Sequence, residues 1–187
     1  MIGSKKVNMA DINPLIAPPL AEAHSPAAPA DGPPMVDLIE LFFFAYRDFV
    51  ADPDEALAPL GFGRAHHRVL HFVNRHPGMR VTDLLDILRI TKQSLGRVLR
   101  ELVDEGFVDS RAGASDRRQR LLYPTPKGEA LARAFMAVQS RRIHKALQAC
   151  GPGSRETVRR FLVAMIDPED RAEVENLIQK AERGRSA

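Results

Sequence analysis

The stretch Val81-Thr-Asp-Leu-Leu-Asp-Ile-Leu-Arg-Ile-Thr-Lys-Gln-Ser-Leu-Gly-Arg-Val-Leu-Arg-Glu-Leu-Val103 decides the fold. Its first part places Leu84, Leu85, Ile87 and Leu88 at helical spacing, with Thr82 as the expected N-cap. A break at Arg89-Ile90 leads to Thr91, a second N-cap candidate. Leu95, Val98, Leu99, Leu102 and Val103 then fall at i, i+3, i+4, i+7 and i+8, one stripe of a second helix that must be buried. The other face carries Thr91, Lys92, Gln93, Ser94, Arg97 and Arg100. These are donors suited to phosphates and to base edges in a major groove, and they gather toward the helix start, where a recognition helix meets DNA. Gly96 inside this helix costs about 1 kcal/mol against alanine, which points to a close approach by the preceding helix or by DNA.

Asp104-Glu105-Gly106 closes the helix, with Gly106 in the left-handed position after it. Phe107 to Arg111 and Arg120 to Tyr123 are expected to pair as two strands around a tip that turns basic, Asp116-Arg117-Arg118-Gln119. Arg111, Arg117, Arg118 and Arg120 make this hairpin suited to reach a phosphate backbone or a minor groove beside the helix. The fold expected is mainly α with a small β-wing: a winged helix-turn-helix lobe plus a helical lobe.

Thr91-Lys92-Gln93-Ser94, Leu102-Val103-Asp104-Glu105-Gly106-Phe107-Val108, Asp116-Arg117-Arg118 and Thr125-Pro126-Lys127-Gly128 come in one order. In that order they resemble the MarR family of winged-helix transcriptional regulators, from roughly Val36 to the C-terminus. The resemblance implies a homodimer with interlocked terminal helices, double-stranded DNA as partner, and a small-ligand pocket between dimerisation and DNA-binding lobes. It implies that Asp116 orients an arginine by a charge-assisted hydrogen bond while the basic tip faces DNA. Pro124 departs from the family pattern, standing where an apolar strand residue is usual, so the second wing strand is expected to end early or lie at an edge.

The remainder of the chain divides around this lobe. Residues 1–34 hold seven prolines among alanines, a composition expected to form a disordered or extended tail. Residues 35–62 and 126–187 are expected to form dimerisation helices, and residues 63–125 the DNA-binding lobe. A first helix, Asp37 to Val50, is apolar nearly all round, so a second subunit is its natural cover. The dimerisation residues expected are Phe42, Phe43, Tyr46, Phe49, Phe161, Leu177 and Ile178. Ala51 to Phe62 reads as a connection, followed by a helix from Gly63-Arg64-Ala65 to Arg75 and a short extended piece at Met79-Arg80-Val81. Thr125 and Pro126 start a long helix to about Ala149. Ser154 is expected to cap the next, with Val158, Phe161, Leu162, Met165 and Ile166 as its apolar stripe. A last helix spans Glu169 to Glu182.

Arg64, His66, His67 and His71 are the candidates for an effector pocket, because a helix N-terminus attracts anions. A small aromatic or anionic effector is the class expected. His67 and His71 also stand at a spacing that holds a metal, with His144 or Cys150 as a distant third ligand. Histidines satisfied within the protein, or lining a pocket, are the preferred reading, and no metal is assigned. Cys150, the single cysteine, excludes an intramolecular disulfide and is assigned no sensing role. A formal charge of +3 and a pI near 9.3 are too mild to establish nucleic-acid binding by themselves. No phosphate-binding glycine loop, nucleophile motif or cofactor signature occurs, so an enzyme is not expected and no cofactor is assigned. No membrane-spanning run or secretory leader stands out, and the expected location is the cytoplasm.

The function expected is sequence-specific regulation of transcription, more often repression, by a homodimer on a pseudo-palindromic operator, relieved by an effector. The alternatives are a constitutive architectural DNA-binding protein and a winged-helix protein-interaction module.

Overall fold

The protein is described by a computed structural model over residues 33–114 and 116–184. The expected tail falls almost wholly outside these residues. Helix α1 runs Val36–Leu57, seven residues beyond the expected end, so it takes most of the expected connection, and a 3-10 turn, Ala58–Leu60, follows. Pro53 inside a helix costs a backbone hydrogen bond. Here Val50, Pro53 and Leu57 fall on one buried stripe, and that burial offsets the loss.

Two units are described separately. In the first, over the described residues 33–42, α1 begins with Val36, Leu38, Ile39, Leu41 and Phe42 all exposed. The second, residues 43–184, contains the rest. Helix α2 spans Arg64–Arg75, strand β1 Met79–Arg80, helix α3 Val81–Leu88 and helix α4 Lys92–Asp104. Strands β2, Val108–Ala112, and β3, Arg120–Pro124, are followed by helices α5, Pro126–Ala149, α6, Ser154–Ala164, and α7, Arg171–Arg183.

The helix α3 starts two residues earlier than expected. Arg80, not Thr82, is its N-cap, because the Asp83 carboxylate accepts the Arg80 N–H at 3.1 Å and grips its guanidinium at 2.8 Å. Arg89 ends α3 in the left-handed region (φ 48°), an uncommon place for arginine. This residue makes the tight turn into α4, and its guanidinium is ion-paired with Asp170 at the start of α7. Thr91 caps α4 as expected, accepting the Ser94 N–H at 3.1 Å.

The three strands form an antiparallel sheet in the order β1-β3-β2. Strand β3 is therefore central, and it runs through Pro124, which pairs with Val108. The expected early end or edge position is corrected by the shortness of β1, which reaches only Leu121 and Leu122. At Pro124 a missing N–H costs no bond on that side, and the next amide, Thr125 N–H, donates to the Phe107 carbonyl at 3.1 Å.

Leu57, Val69, Leu70, Val73, Leu84, Leu95, Val98, Leu102, Val108, Leu122 and Phe135 meet in one hydrophobic core. That core draws on the end of α1 and the first half of α5 as well as on the helix-turn-helix. Thr125 and Pro126 open α5 as expected, with Thr125 accepting the Gly128 N–H at 3.1 Å. Ser154, expected as a cap, is the first residue of α6 instead. Gly153 takes the cap position at φ 76°, and the serine hydroxyl donates to the Leu147 carbonyl. The last helix begins two residues later than expected.

Candidate nucleic-acid interface

Helix α4 is built to show one face and hide the other. Leu95, Val98 and Leu102 are buried, while Thr91, Lys92, Gln93, Ser94, Arg97 and Arg100 are all exposed. A Cβ at Gly96 would meet nothing within 4 Å, so the glycine does not serve close packing against α3.

Helix α4 is fastened at its far end by the Thr125-Pro126-Lys127-Gly128 motif. Gly106 (φ 69°) turns the chain out of the helix, the Thr125 hydroxyl donates to the Gly106 carbonyl at 2.7 Å, and Lys127 Nζ donates to the Glu105 carbonyl at 2.7 Å. The same ammonium lies 4.1 Å from the centre of the Phe107 ring. A cation on the last carbonyls complements the negative end of the helix. Lys127 was not among the expected site residues, although it stands in the Thr125-Pro126-Lys127-Gly128 motif that the sequence singles out.

In the wing, Arg111, Arg117, Arg118 and Arg120 are exposed. Arg111 is held back: it pairs with Asp109 at 3.0 Å and lies over the Tyr123 ring at 4.5 Å. Asp116 does not grip a guanidinium as expected. Its carboxylate accepts the backbone N–H of Arg118 at 2.9 Å and so shapes the turn that carries both tip arginines. Among the described residues, Lys92, Arg97, Arg100, Arg117, Arg118 and Arg120 have no carboxylate at ion-pair distance. Such unneutralised cations on a helix face and a hairpin favour a polyanion.

The four effector-pocket candidates sit at the start and middle of α2, each engaged within the protein. Arg64 pairs with Asp54 at 3.0 Å, and His66 lies between the Gly63 N–H and the Glu101 carboxylate. His67 packs edge-on against Phe135 at 5.2 Å. Burial depresses the His67 imidazole and, joined by the nearby His67, Arg75 and His76, pushes His71 down to about 4. Neither of two open cavities in this unit is lined by them. One, about 940 Å³, lies where α7 faces α2, β1 and α3, and the other, about 770 Å³, lies between α1 and α5. No cluster of three metal-ligating side chains occurs among the described residues.

The depressed histidines set an acid limit on the fold. Each stays neutral in the folded chain below the ordinary value of 6.5, where the unfolded chain takes up a proton. Stability is therefore intact above 6.5 and falls toward about 4, with His71 alone costing up to about 3 kcal/mol. Asp83 is held below 3.8 by its hydrogen bond to Arg80, so its own loss comes at lower pH. Thermal melts are expected to fall across this window, and His71→Leu is expected to flatten the fall. A melting temperature constant from neutral pH to pH near 4 would contradict the burial of these rings as neutral groups.

Of the expected dimerisation residues, Phe42, described with the first unit, is exposed. In the second, Phe43, Tyr46, Phe161 and Ile178 are exposed, while Phe49 and Leu177 are half-buried. Leu162 on α6 and Met165 just after it are exposed too.

Comparison with known proteins bears on this arrangement. The MarR family model matches residues 60–119, from the end of the 3-10 turn to the wing. The HTH-type transcriptional regulator PetP of Rhodobacter capsulatus is 51% identical over 130 residues, spanning 70% of this chain and 78% of PetP. An HTH-type transcriptional repressor of Mycobacterium tuberculosis is 34% identical over 83 residues, 44% of this chain and 60% of its own length. Among solved structures, the Staphylococcus aureus MepR–DNA complex superposes with a TM-score of 0.58 at 18% identity, covering 68% of this chain and 95% of MepR. A mutant MarR from E. coli, complexed with operator DNA, gives 0.56 at 20% identity, covering 71% and 95%. At such identities the solved structures establish the fold.

Proposed function

The chain belongs to the MarR family of winged-helix transcriptional regulators, which are not enzymes, and from that premise we propose that it acts as a homodimer on a pseudo-palindromic operator. Each subunit lays the start of α4 in a major groove, with Gln93 and Ser94 meeting base edges and Lys92, Arg97 and Arg100 meeting phosphates or guanine. Arg117 and Arg118, presented by the Asp116 turn, reach the backbone beside it, with Arg111 and Arg120 behind them. The observation that carries this reading is the set of unpaired cations on α4 and the wing, on a scaffold whose relatives are named regulators.

A dimer is supported by the aromatic and aliphatic side chains left exposed on α1 and α6, since an apolar surface of that extent is normally covered by a partner. Repression is the sign proposed, in line with the mycobacterial relative, which is named a repressor: a bound dimer here would exclude polymerase. A small aromatic or anionic effector relieves it by shifting the spacing of the two recognition helices, its anion taking the Arg64 guanidinium at the start of α2 from Asp54. His66, His67 and His71 line the same helix.

Binding of the purified full chain to DNA from upstream of its own coding sequence, against a shuffled duplex across a salt series, tests the proposal. Selective binding with a steep salt slope is expected. Where the upstream DNA does not bind, selection from a random-sequence pool supplies the probe. Failure to enrich any sequence, with equal weak binding to all, would give the architectural reading; no binding at low salt would favour a docking module.

A further inference from the structure

The recognition helix is tied to α2 by one directional contact that the DNA-facing residues do not include. His66 stands in the first turn of α2, and its ring stacks on Phe62 with centroids 4.4 Å apart and planes 6° from parallel. Phe62 is itself part of the core and meets Phe107 edge-on. The imidazole is thus clamped, with its side chain only 10% exposed. Its Nδ1 receives the Gly63 N–H at 3.1 Å, so Nδ1 is the acceptor and the ring hydrogen is on Nε2. That Nε2–H donates to Glu101 Oε2 at 2.6 Å. The bond is short and charge-assisted, and it holds one tautomer of the histidine against one oxygen on α4.

The other attachments of α4 are the hydrogen bonds of Thr125 and Lys127 to the Gly106 and Glu105 carbonyls, which hold only the end of its last turn, and its buried stripe. The stripe of Leu95, Val98 and Leu102 is held by burial, a non-directional force that tolerates small turns about the helix axis. Gly96 is a weak point in the helix, with nothing packed against its open side. A few degrees of rotation would move Gln93 and Arg97 off a base edge while leaving a phosphate contact nearly intact.

We propose that Glu101 and His66 are positioning residues for sequence recognition: together they set the rotation of α4 and thereby the register of its side chains on the bases. Neither touches DNA. The inference rests on the reading of α4 as the DNA-contacting helix.

Electrostatics gives the test its sign. Removing the Glu101 carboxylate takes away a negative charge on the helix that approaches a polyanion, so charge alone would raise affinity for every duplex. Loss of positioning lowers affinity for the selected duplex only. The experiment compares wild type, Glu101→Ala and Glu101→Gln on a duplex recovered by selection and on its shuffled counterpart. Glutamine retains an oxygen that accepts the Nε2–H, and both substitutions lose the charge. Glu101→Ala is expected to cut the ratio of selected to shuffled affinity about tenfold, the scale of one charge-assisted hydrogen bond. Glu101→Gln is expected to keep most of that ratio. His66→Phe, which preserves the stack on Phe62, is expected to match Glu101→Ala, and the double variant to lose no more than either single one.

Equal ratios in wild type and Glu101→Ala would overturn the inference. So would equal losses in Glu101→Ala and Glu101→Gln, or parallel falls on both duplexes. A wild type that does not discriminate the two duplexes would instead overturn the DNA-recognition reading beneath it.

Discussion

Gly128→Ala is expected to destabilise the protein by more than about 3 kcal/mol, at the upper end for an overpacked site, and to lower its melting temperature by about 6–12 °C. A Cβ on Gly128 would lie 2.0 Å from the Phe107 carbonyl oxygen and 3.0 Å from its carbon. The obstacle is backbone, so no side-chain rotation relieves it. That carbonyl also accepts the Thr125 N–H, and moving it would break the joint between wing and α5. The same shift would pull Lys127 from the Glu105 carbonyl and open the end of α4. Gly96→Ala is the matched control: with nothing near its Cβ, it is expected to stabilise by about 1 kcal/mol through helix propensity. Thermal denaturation of the three proteins decides it, and a Gly128→Ala protein that melts with the wild type would contradict the close approach of α5 to Phe107.

Replacing both tip arginines, Arg117→Ala with Arg118→Ala, is expected to weaken DNA binding on the order of hundredfold. A dimer loses four cations, and about 0.7 kcal/mol for each lost contact, within the net range of a hydrogen bond, gives that factor. The salt slope should become shallower by up to about 3.6, at about 0.9 for each phosphate contact removed. The Asp116 carboxylate accepts the backbone N–H of Arg118 and its carbonyl that of Gln119, so the two substitutions leave the turn's own hydrogen bonds in place. Light scattering should therefore report an unchanged assembly. Unaltered affinity and slope would remove the wing from the interface and favour docking to a protein.

Much of this architecture is legible in the sequence because it rests on local chemistry. Thr91 and Thr125 are caps that act within three residues, and the stripe from Leu95 to Leu102 follows from helical spacing. Features that depend on tertiary contacts are not legible in the same way. Pro53 reads locally as a breaker, yet burial beside Val50 and Leu57 carries α1 through it. Pro124 reads as the end of a strand, but the shortness of β1 lets it stand in the central one.

The site divides along the same line. The basic character of α4 and the wing can be read from the chain, since exposed cations opposite an apolar stripe are a one-dimensional pattern. Which group each charged residue meets cannot. His66 and Glu101 are 35 positions apart, and no periodicity joins them. Arg89 adopts a left-handed turn that arginine does not favour by itself, and Asp116 finds an amide where the family pattern suggested a guanidinium. In each case partners distant in sequence, or the path of the backbone, decide the contact.

The most direct test of the central claim is hydroxyl-radical footprinting of the full chain on the duplex it selects. Two protected half-sites on one face of the DNA are expected, their centres about one helical turn apart, about 10–10.5 base pairs, as two recognition helices in successive major grooves require. A single half-site, or protection spread evenly with no dyad, would contradict a dimer that reads DNA through paired copies of α4.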